Sequence, residues 1–173
     1  SGVAALTLID LDHVAESNIN RQVHALTDTV GQAKVDAMAE RIARIHPGCV
    51  VHRVDEFAQP DNWPGLLTAP VHAVIDACDQ MRAKAALAAW ALRIGACFIA
   101  VGAAGGKQQA ERVEVGDLAV VTHDPLLAKL RYDLRRHHAA PRGEQPIGVP
   151  CVFSRESVAP PDPSCAIGAG DGS

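Results

Sequence analysis

The chain has 173 residues, 16 basic and 20 acidic side chains, a formal net charge of −4, 48% apolar residues and only 3% aromatic ones. One domain of that length can bury a sizeable core, which Ala, Val, Ile and Leu must build, and the apolar fraction with a small net charge argues against disorder. The balance excludes a globally basic nucleic-acid binder, and no apolar run approaches the ~20 residues of a membrane helix.

Ala4-Ala5-Leu6-Thr7-Leu8-Ile9 reads as a strand covered on both faces, ending at Asp10. A polar stretch from Asp12 to Thr29 follows, and Thr29-Val30-Gly31-Gln32 matches a capping box opening a helix. Val35, Met38, Ala39, Ile42 and Ile45 supply its apolar stripe, and Pro47-Gly48 ends it. Cys49 to Val54 and Val71 to Ile75 read as strands, Met81 to Ile94 as an Ala-rich helix stopped by Gly95, and Cys97 to Val101 as a further strand running into Gly102–Gly106. Strands alternating with helices imply crossovers and a mostly parallel sheet. Arg112 to Val121 looks like short strands, and Asp124 to His138 like a basic helix with Leu126, Leu127, Leu130 and Leu134 on one side. From Ala139 onward Pro and Gly dominate, with a brief strand at Cys151-Val152-Phe153. The expected organisation is a core over residues 1–121 and a basic helix with a Pro/Gly-rich segment over 122–173 of the same domain.

Ligands of an open parallel sheet bind beyond the carboxyl ends of its strands, where Asp10, Asp76 and Asp79 stand. Asp10 is placed to accept a ribose hydroxyl if its strand is the second of the sheet. The alternative is that Asp10 is a turn acid and Asp79 a helix N-cap; pattern alone leaves both open. Only Ser1-Gly2-Val3 precede the first strand, so a preceding strand and Gly-rich phosphate loop have no room. The expectation is therefore a Rossmann-like α/β fold, a mostly parallel sheet with flanking helices, lacking its first strand and Gly-rich loop. The glycines after Val101 lack a G-x-G-x-x-G register and read as sites of close backbone approach.

Four blocks carry a resemblance: Leu8-Ile9-Asp10-Leu11-Asp12 with Ser17-Asn18-Ile19-Asn20-Arg21-Gln22, then Val30-Gly31-Gln32-Ala33-Lys34, then Val74-Ile75-Asp76-Ala77-Cys78-Asp79. In order and separation they resemble the ubiquitin-activating-like (ThiF/MoeB) adenylating family. Asn18 to Leu26, Gly102 to Gly106, Asp124 to Lys129 and Cys151 to Ser154 are most similar to its branch of tRNA threonylcarbamoyladenosine dehydratases. The resemblance implies an enzyme using ATP and Mg²⁺ to adenylate the threonyl carboxylate of that nucleoside in tRNA and to close it into a ring. It also implies a homodimer in the cytoplasm and a cysteine desulfurase or sulfur-acceptor partner. Carried over, it assigns Asp10 to the ATP ribose, Asn18, Arg21 and Lys34 to the phosphates, and Asp79 to magnesium. Arg21, Lys34 and Asp79 would be catalytic, since a carboxylate attacking a triphosphate needs cations to neutralise both partners. Against the family pattern the chain also stops early, so a fragment that binds ATP weakly alone is expected.

Structural alternatives stand beside each assignment. Arg21 reads as a solvated loop cation, Asn18 as a turn residue bonding its own backbone, and Lys34 as an exposed helix lysine. Eight histidines form no metal-ligand register, and the adjacent His137 and His138 are expected to point apart on a helix. The five cysteines, an odd number with no C-x-x-C pair, fit a reducing compartment and form no cysteine zinc site. Cys151, in apolar surroundings, reads as packing rather than as a nucleophile. The cations from Lys129 to His138 suit either RNA phosphates or a solvated face. Rival functions are activation of a ubiquitin-like sulfur carrier and a non-catalytic binding scaffold; the lack of C-x-x-C pairs weighs against the first.

Overall fold

A computed structural model describes residues 2–157, which divide into two compact units with the boundary between Pro70 and Val71. In the first, β1 (Ala5–Ile9) pairs in parallel with β2 (Val50–Val54), from Ala5 opposite Val50 to Ile9 opposite Val54. Parallel neighbours need a crossover, and α1 (Lys34–Ile45) lies within it. Residues 12–33 form a loop closed at its neck: Val14 N donates to Gln32 O and Gly31 N to Val14 O, both at 2.8 Å, and Lys34 N donates to Asp12 O at 2.9 Å. Short 3-10 turns at Glu16–Asn18 and Thr27–Thr29 shape it, and Val14, Ala25 and Ala37 form a buried cluster beneath it.

The predicted capping box is not formed. Thr29 Oγ1 instead accepts from Leu26 N at 2.8 Å and donates to His24 O at 2.9 Å, capping its own turn. Gly31 then takes φ +86°, which breaks helical progression, so α1 begins three residues later. The predicted stripe is also only partly right. Val35 and the unpredicted Ala37 are buried, Met38, Ala39 and Ile42 are half-buried, and Ile45 is 74% exposed.

The second unit holds β3 (Ala73–Asp76), α2 (Met81–Ile94), β4 (Cys97–Val101), β5 (Val113–Asp117), α3 (Pro125–His137) and β6 (Pro150–Ser154). Its sheet runs β3-β4-β6-β5; β3/β4 and β4/β6 are parallel and β5/β6 antiparallel. The strand predicted from Val71 begins two residues later and takes in Asp76. The strands expected over Arg112–Val121 are the single β5, flanked by 3-10 turns at Ala110–Arg112 and Leu118–Val120. α2 has its predicted bounds, and Gly95 ends it in the left-handed conformation at φ +68°.

Asp124 starts α3 by accepting from Leu127 N at 2.9 Å, and Pro125 takes the first helical position, where no N–H is missed. Its other oxygen accepts from Ala103 N at 2.8 Å. A Cβ on Gly102 would lie 2.1 Å from that oxygen, so close approach demands glycine there, as the sequence suggested. Leu127, Leu130 and Leu134 are fully buried, each contributing about 2 kcal/mol, while Leu126 stays half-buried. His137 and His138 do not diverge: both approach Asp133, at 3.0 and 3.9 Å, because His138 has left the helix as its C-cap. Each unit carries one tryptophan, Trp63 and Trp90. Of the predicted tail, Gly168–Ser173 lies outside the described residues. No helix among the described residues is long and apolar enough to cross a membrane.

Candidate active site

Four of the five expected site residues, Asp10, Asn18, Arg21 and Lys34, belong to the first unit, at the carboxyl end of β1 and around the loop that leaves it. Asp10 Oδ1 accepts from Asp12 N at 2.9 Å, which turns the chain away from the strand and leaves Oδ2 without a donor among the described residues. The turn role and a ribose-accepting role are therefore compatible in one carboxylate. Asn18 is buried, and its Oδ1 accepts from Ala15 N at 3.0 Å. That is the local bond that the structural alternative anticipated. Arg21 is exposed, and its guanidinium donates to Ser17 O and Asn20 Oδ1, both neutral acceptors, so its charge has no carboxylate partner among the described residues. Lys34 is not a free helix lysine. At the first residue of α1 its Nζ lies 2.8 Å from Asp12 Oδ2, and its side chain is only 15% exposed. A helix N-terminus repels a cation, so Asp12 offsets what the backbone dipoles there cost Lys34.

Sequence reasoning missed the polar groups behind these residues. Gln22 Oε1, both ring nitrogens of His24 and Arg41 Nε are buried from solvent with no hydrogen-bond partner among the described residues. Burial, then the Lys34 charge, hold the His24 ring below its ordinary 6.5; Asp10 opposes this and Arg41 adds to it. Asp10, Lys34, Arg41 and His24 thus share one electrostatic environment. Buried polar atoms left unpaired cost about 1–3 kcal/mol each, and the protein itself shields these from solvent. Folding of the loop against α1 brings His24 and Arg41 together.

The fifth residue, Asp79, follows β3 in the second unit. It is exposed and makes no side-chain hydrogen bond or ion pair among the described residues. The expected alternative, that it caps α2, is not realised: Gln80 is the N-cap residue. Behind it stands a group the sequence reading did not assign. Lys84 Nζ lies 2.8 Å from Asp76 Oδ2 with both side chains fully buried, and donates also to Val101 O at 3.1 Å and Asp76 O at 3.3 Å. Asp76 Oδ1 accepts from Cys78 N at 3.1 Å and from Cys78 Sγ at 2.9 Å. The buried pair therefore pins the strand end and the turn that presents Asp79. Burial and then the Asp76 carboxylate push the Cys78 thiol up to about 12, which disqualifies it as a nucleophile near neutral pH. Cys151 is likewise fully buried, its Sγ 3.4 Å from Val149 O, and pushed up to about 12 by burial and then by Asp117.

Among the described residues no three His, Cys, Asp or Glu side chains gather as a metal cage. A nucleotide-borne Mg²⁺ needs only one or two protein carboxylates beside phosphate oxygens, and the free Asp79 meets that requirement.

The profile of the ThiF family matches residues 1–168. The tRNA threonylcarbamoyladenosine dehydratase of Escherichia coli (strain K12) is 44% identical over 162 residues, 93% of this chain and 60% of that protein. Its Haemophilus influenzae counterpart is 36% identical over 159 residues, 91% of this chain and 61% of that protein. The crystal structure of E. coli tRNA N6-threonylcarbamoyladenosine dehydratase, TcdA, in complex with ATP superposes with a TM-score of 0.88 at 44% identity. The match covers 92% of this chain and 66% of that one. The chain thus spans about 60% of the length of these two curated relatives.

Proposed function

Because this chain belongs to the ThiF family, we propose that it activates a carboxylate with ATP, and that the carboxylate is the threonyl group of threonylcarbamoyladenosine in tRNA. The observation that carries the reading is the set of groups at the carboxyl end of β1 and around the loop after it, where Asp10 keeps one oxygen unpartnered among the described residues and Arg21 and Lys34 supply positive charge. A nucleotide offers ribose hydroxyls to that oxygen and phosphates to those cations. The 44% identity to a dehydratase over 162 residues supports the nucleoside substrate. The 35% identity to the Salmonella typhimurium molybdopterin-synthase adenylyltransferase extends over only 84 residues.

In this reading the substrate carboxylate oxygen attacks the α-phosphorus of ATP, and the bond to pyrophosphate breaks. An internal nucleophile of the same nucleoside then displaces AMP and closes the ring, so the net change is loss of water coupled to ATP cleavage to AMP and pyrophosphate. Asp10 accepts the ribose hydroxyls through its free oxygen. Asn18 holds the loop in shape and reaches the phosphates, while Arg21 and Lys34 neutralise charge that otherwise opposes attack. Asp79 holds Mg²⁺, which supplies further screening of the phosphates. No protein thiol takes part. The reading extends to a cytoplasmic homodimer and to a cysteine desulfurase or sulfur-acceptor partner, tested by light scattering and co-purification.

The test is Asp79→Asn in the protein that carries this sequence, with AMP release on tRNA bearing threonylcarbamoyladenosine measured beside the melting temperature. Turnover should fall by about 100-fold or more, while melting stays within about 2 °C because Asp79 is exposed and unpartnered. Unchanged AMP release removes Asp79 from the site. AMP release that responds to a ubiquitin-like carrier and not to the tRNA overturns the substrate.

A further inference from the structure

Within the second unit, α3 and the segment after it enclose a cleft of about 670 Å³ lined by Ala128, Arg131, Tyr132, Arg135, Arg136 and Arg142. No acidic side chain lines it, and among the described residues none of its arginines forms an ion pair. Two of them are held by main-chain oxygens, which leave their charge intact. Arg131 donates to Leu118 O and Val121 O, at 3.0 and 2.8 Å, and Arg135 donates to Pro141 O at 2.9 Å and Gly143 O at 2.6 Å. Those bonds fix the cleft walls. Arg136 donates to the Tyr132 hydroxyl at 2.7 Å, and Arg142 has no partner among the described residues. Asp133, the acid of α3, is taken by His137 and His138.

Cations in a last helical turn complement the helix dipole, which accounts for Arg135 and Arg136 alone. It does not account for Arg131, more than a turn earlier, or for Arg142 beyond the helix. Four guanidinium groups around one cleft repel each other unless an anion is shared among them, and this in a chain whose net charge is −4. The aromatic ring narrows the class of anion. Tyr132 is 61% exposed at the cleft, with the Arg136 guanidinium 5.8 Å from its ring centre. An exposed aromatic between cations offers a flat surface on which a base stacks while neighbouring phosphates meet arginine.

We propose that this cleft is an RNA-docking surface for a single-stranded loop, with Arg136 and Arg142 taking backbone phosphates, Arg131 and Arg135 supplying fixed charge, and Tyr132 stacking a base. It rests on the reading of tRNA as substrate, and assigns that substrate a contact apart from the loop residues proposed to hold ATP.

The experiment titrates a fluorescently labelled anticodon stem-loop RNA without ATP, between about 50 and 200 mM salt. Arg136→Glu/Arg142→Glu should weaken binding at least tenfold and flatten the log-affinity against log-salt slope by about 1 to 2. Tyr132→Ala should weaken it by about 5-fold or more, and Tyr132→Phe, which keeps the ring, should stay near wild type. The three side chains to be changed, Tyr132, Arg136 and Arg142, are exposed, and melting curves verify folding. Wild type that binds RNA while the Glu and Ala variants bind equally well overturns the cleft and leaves the proposed function standing. Poly-glutamate bound as tightly as RNA, with the same losses, overturns RNA in favour of an acidic protein. Failure of wild type to bind any RNA overturns both readings.

Discussion

Replacing Lys84 with methionine keeps the stem of the side chain and removes only its ammonium, which makes the change a clean probe of the buried pair. The ammonium lies 2.8 Å from Asp76 Oδ2 with neither side chain exposed. At an effective dielectric of about 20 the gross attraction is about 6 kcal/mol, most of it offset by the desolvation of both ions. The net value of the intact pair is therefore small, but the cost of breaking it is not. Methionine leaves a carboxylate in the interior without its counter-ion and removes the donor to Val101 O and Asp76 O. Breaking a buried pair in this way costs about 3–5 kcal/mol. At about 2–4 °C per kcal/mol for a chain of this size, the melting temperature should fall by about 6–20 °C. Circular dichroism melts and urea titrations read it directly. Asp76→Asn/Lys84→Met should recover at least about half of the loss, because it removes the stranded charge as well. A Lys84→Met variant within about 1 kcal/mol of wild type, or a double variant no more stable than the single, refutes the account.

Two further outcomes follow from the geometry. Cys151→Ala should leave ring closure intact and cost about 1–2 kcal/mol for the small buried void; loss of the cyclised nucleoside in a folded variant would reveal a thiol step. His24, held below its ordinary 6.5, takes up its proton in the unfolded chain before the folded one as pH falls. Its contribution is complete above about pH 6.5 and is lost as pH drops through the lower folded value, so wild type should lose more stability than His24→Gln between pH 8 and 5, and parallel stability curves would refute this.

Where a single local rule decided an element, the sequence was a sufficient guide. α2 runs between its predicted bounds because a strong Ala-rich pattern meets a glycine able to take φ +68°. The capping box failed because two local rules competed for Thr29, and its hydroxyl closed the nearer turn. Ile45 stands 74% exposed because α1 reaches its last turn there, while the small Ala37 faces the interior. Lys84 was readable in hindsight: with Leu87, Ala88 and Ala91 it occupies the i, i+3, i+4, i+7 stripe of α2, so a buried lysine and an acid to meet it were implied. Nothing comparable announced that His24 and Arg41 share surroundings. Their environment arises from folding the 12–33 loop against α1, which brings together residues with no shared periodicity.

The placement of one tryptophan in each compact unit, Trp63 in residues 1–70 and Trp90 in residues 71–173, has a spectroscopic consequence. With no third indole in the chain, Trp63→Phe and Trp90→Phe each leave a single intrinsic fluorophore, reporting one unit without interference from the other. Emission from the Trp63 protein then follows the half that carries Asp10 and Lys34, and emission from the Trp90 protein the half that carries Lys84 and the arginine cleft. Nucleotide and RNA titrations become separable optical channels in one unlabelled molecule, and noncoincident melts would expose two cooperative folding transitions where a bulk signal averages them into one.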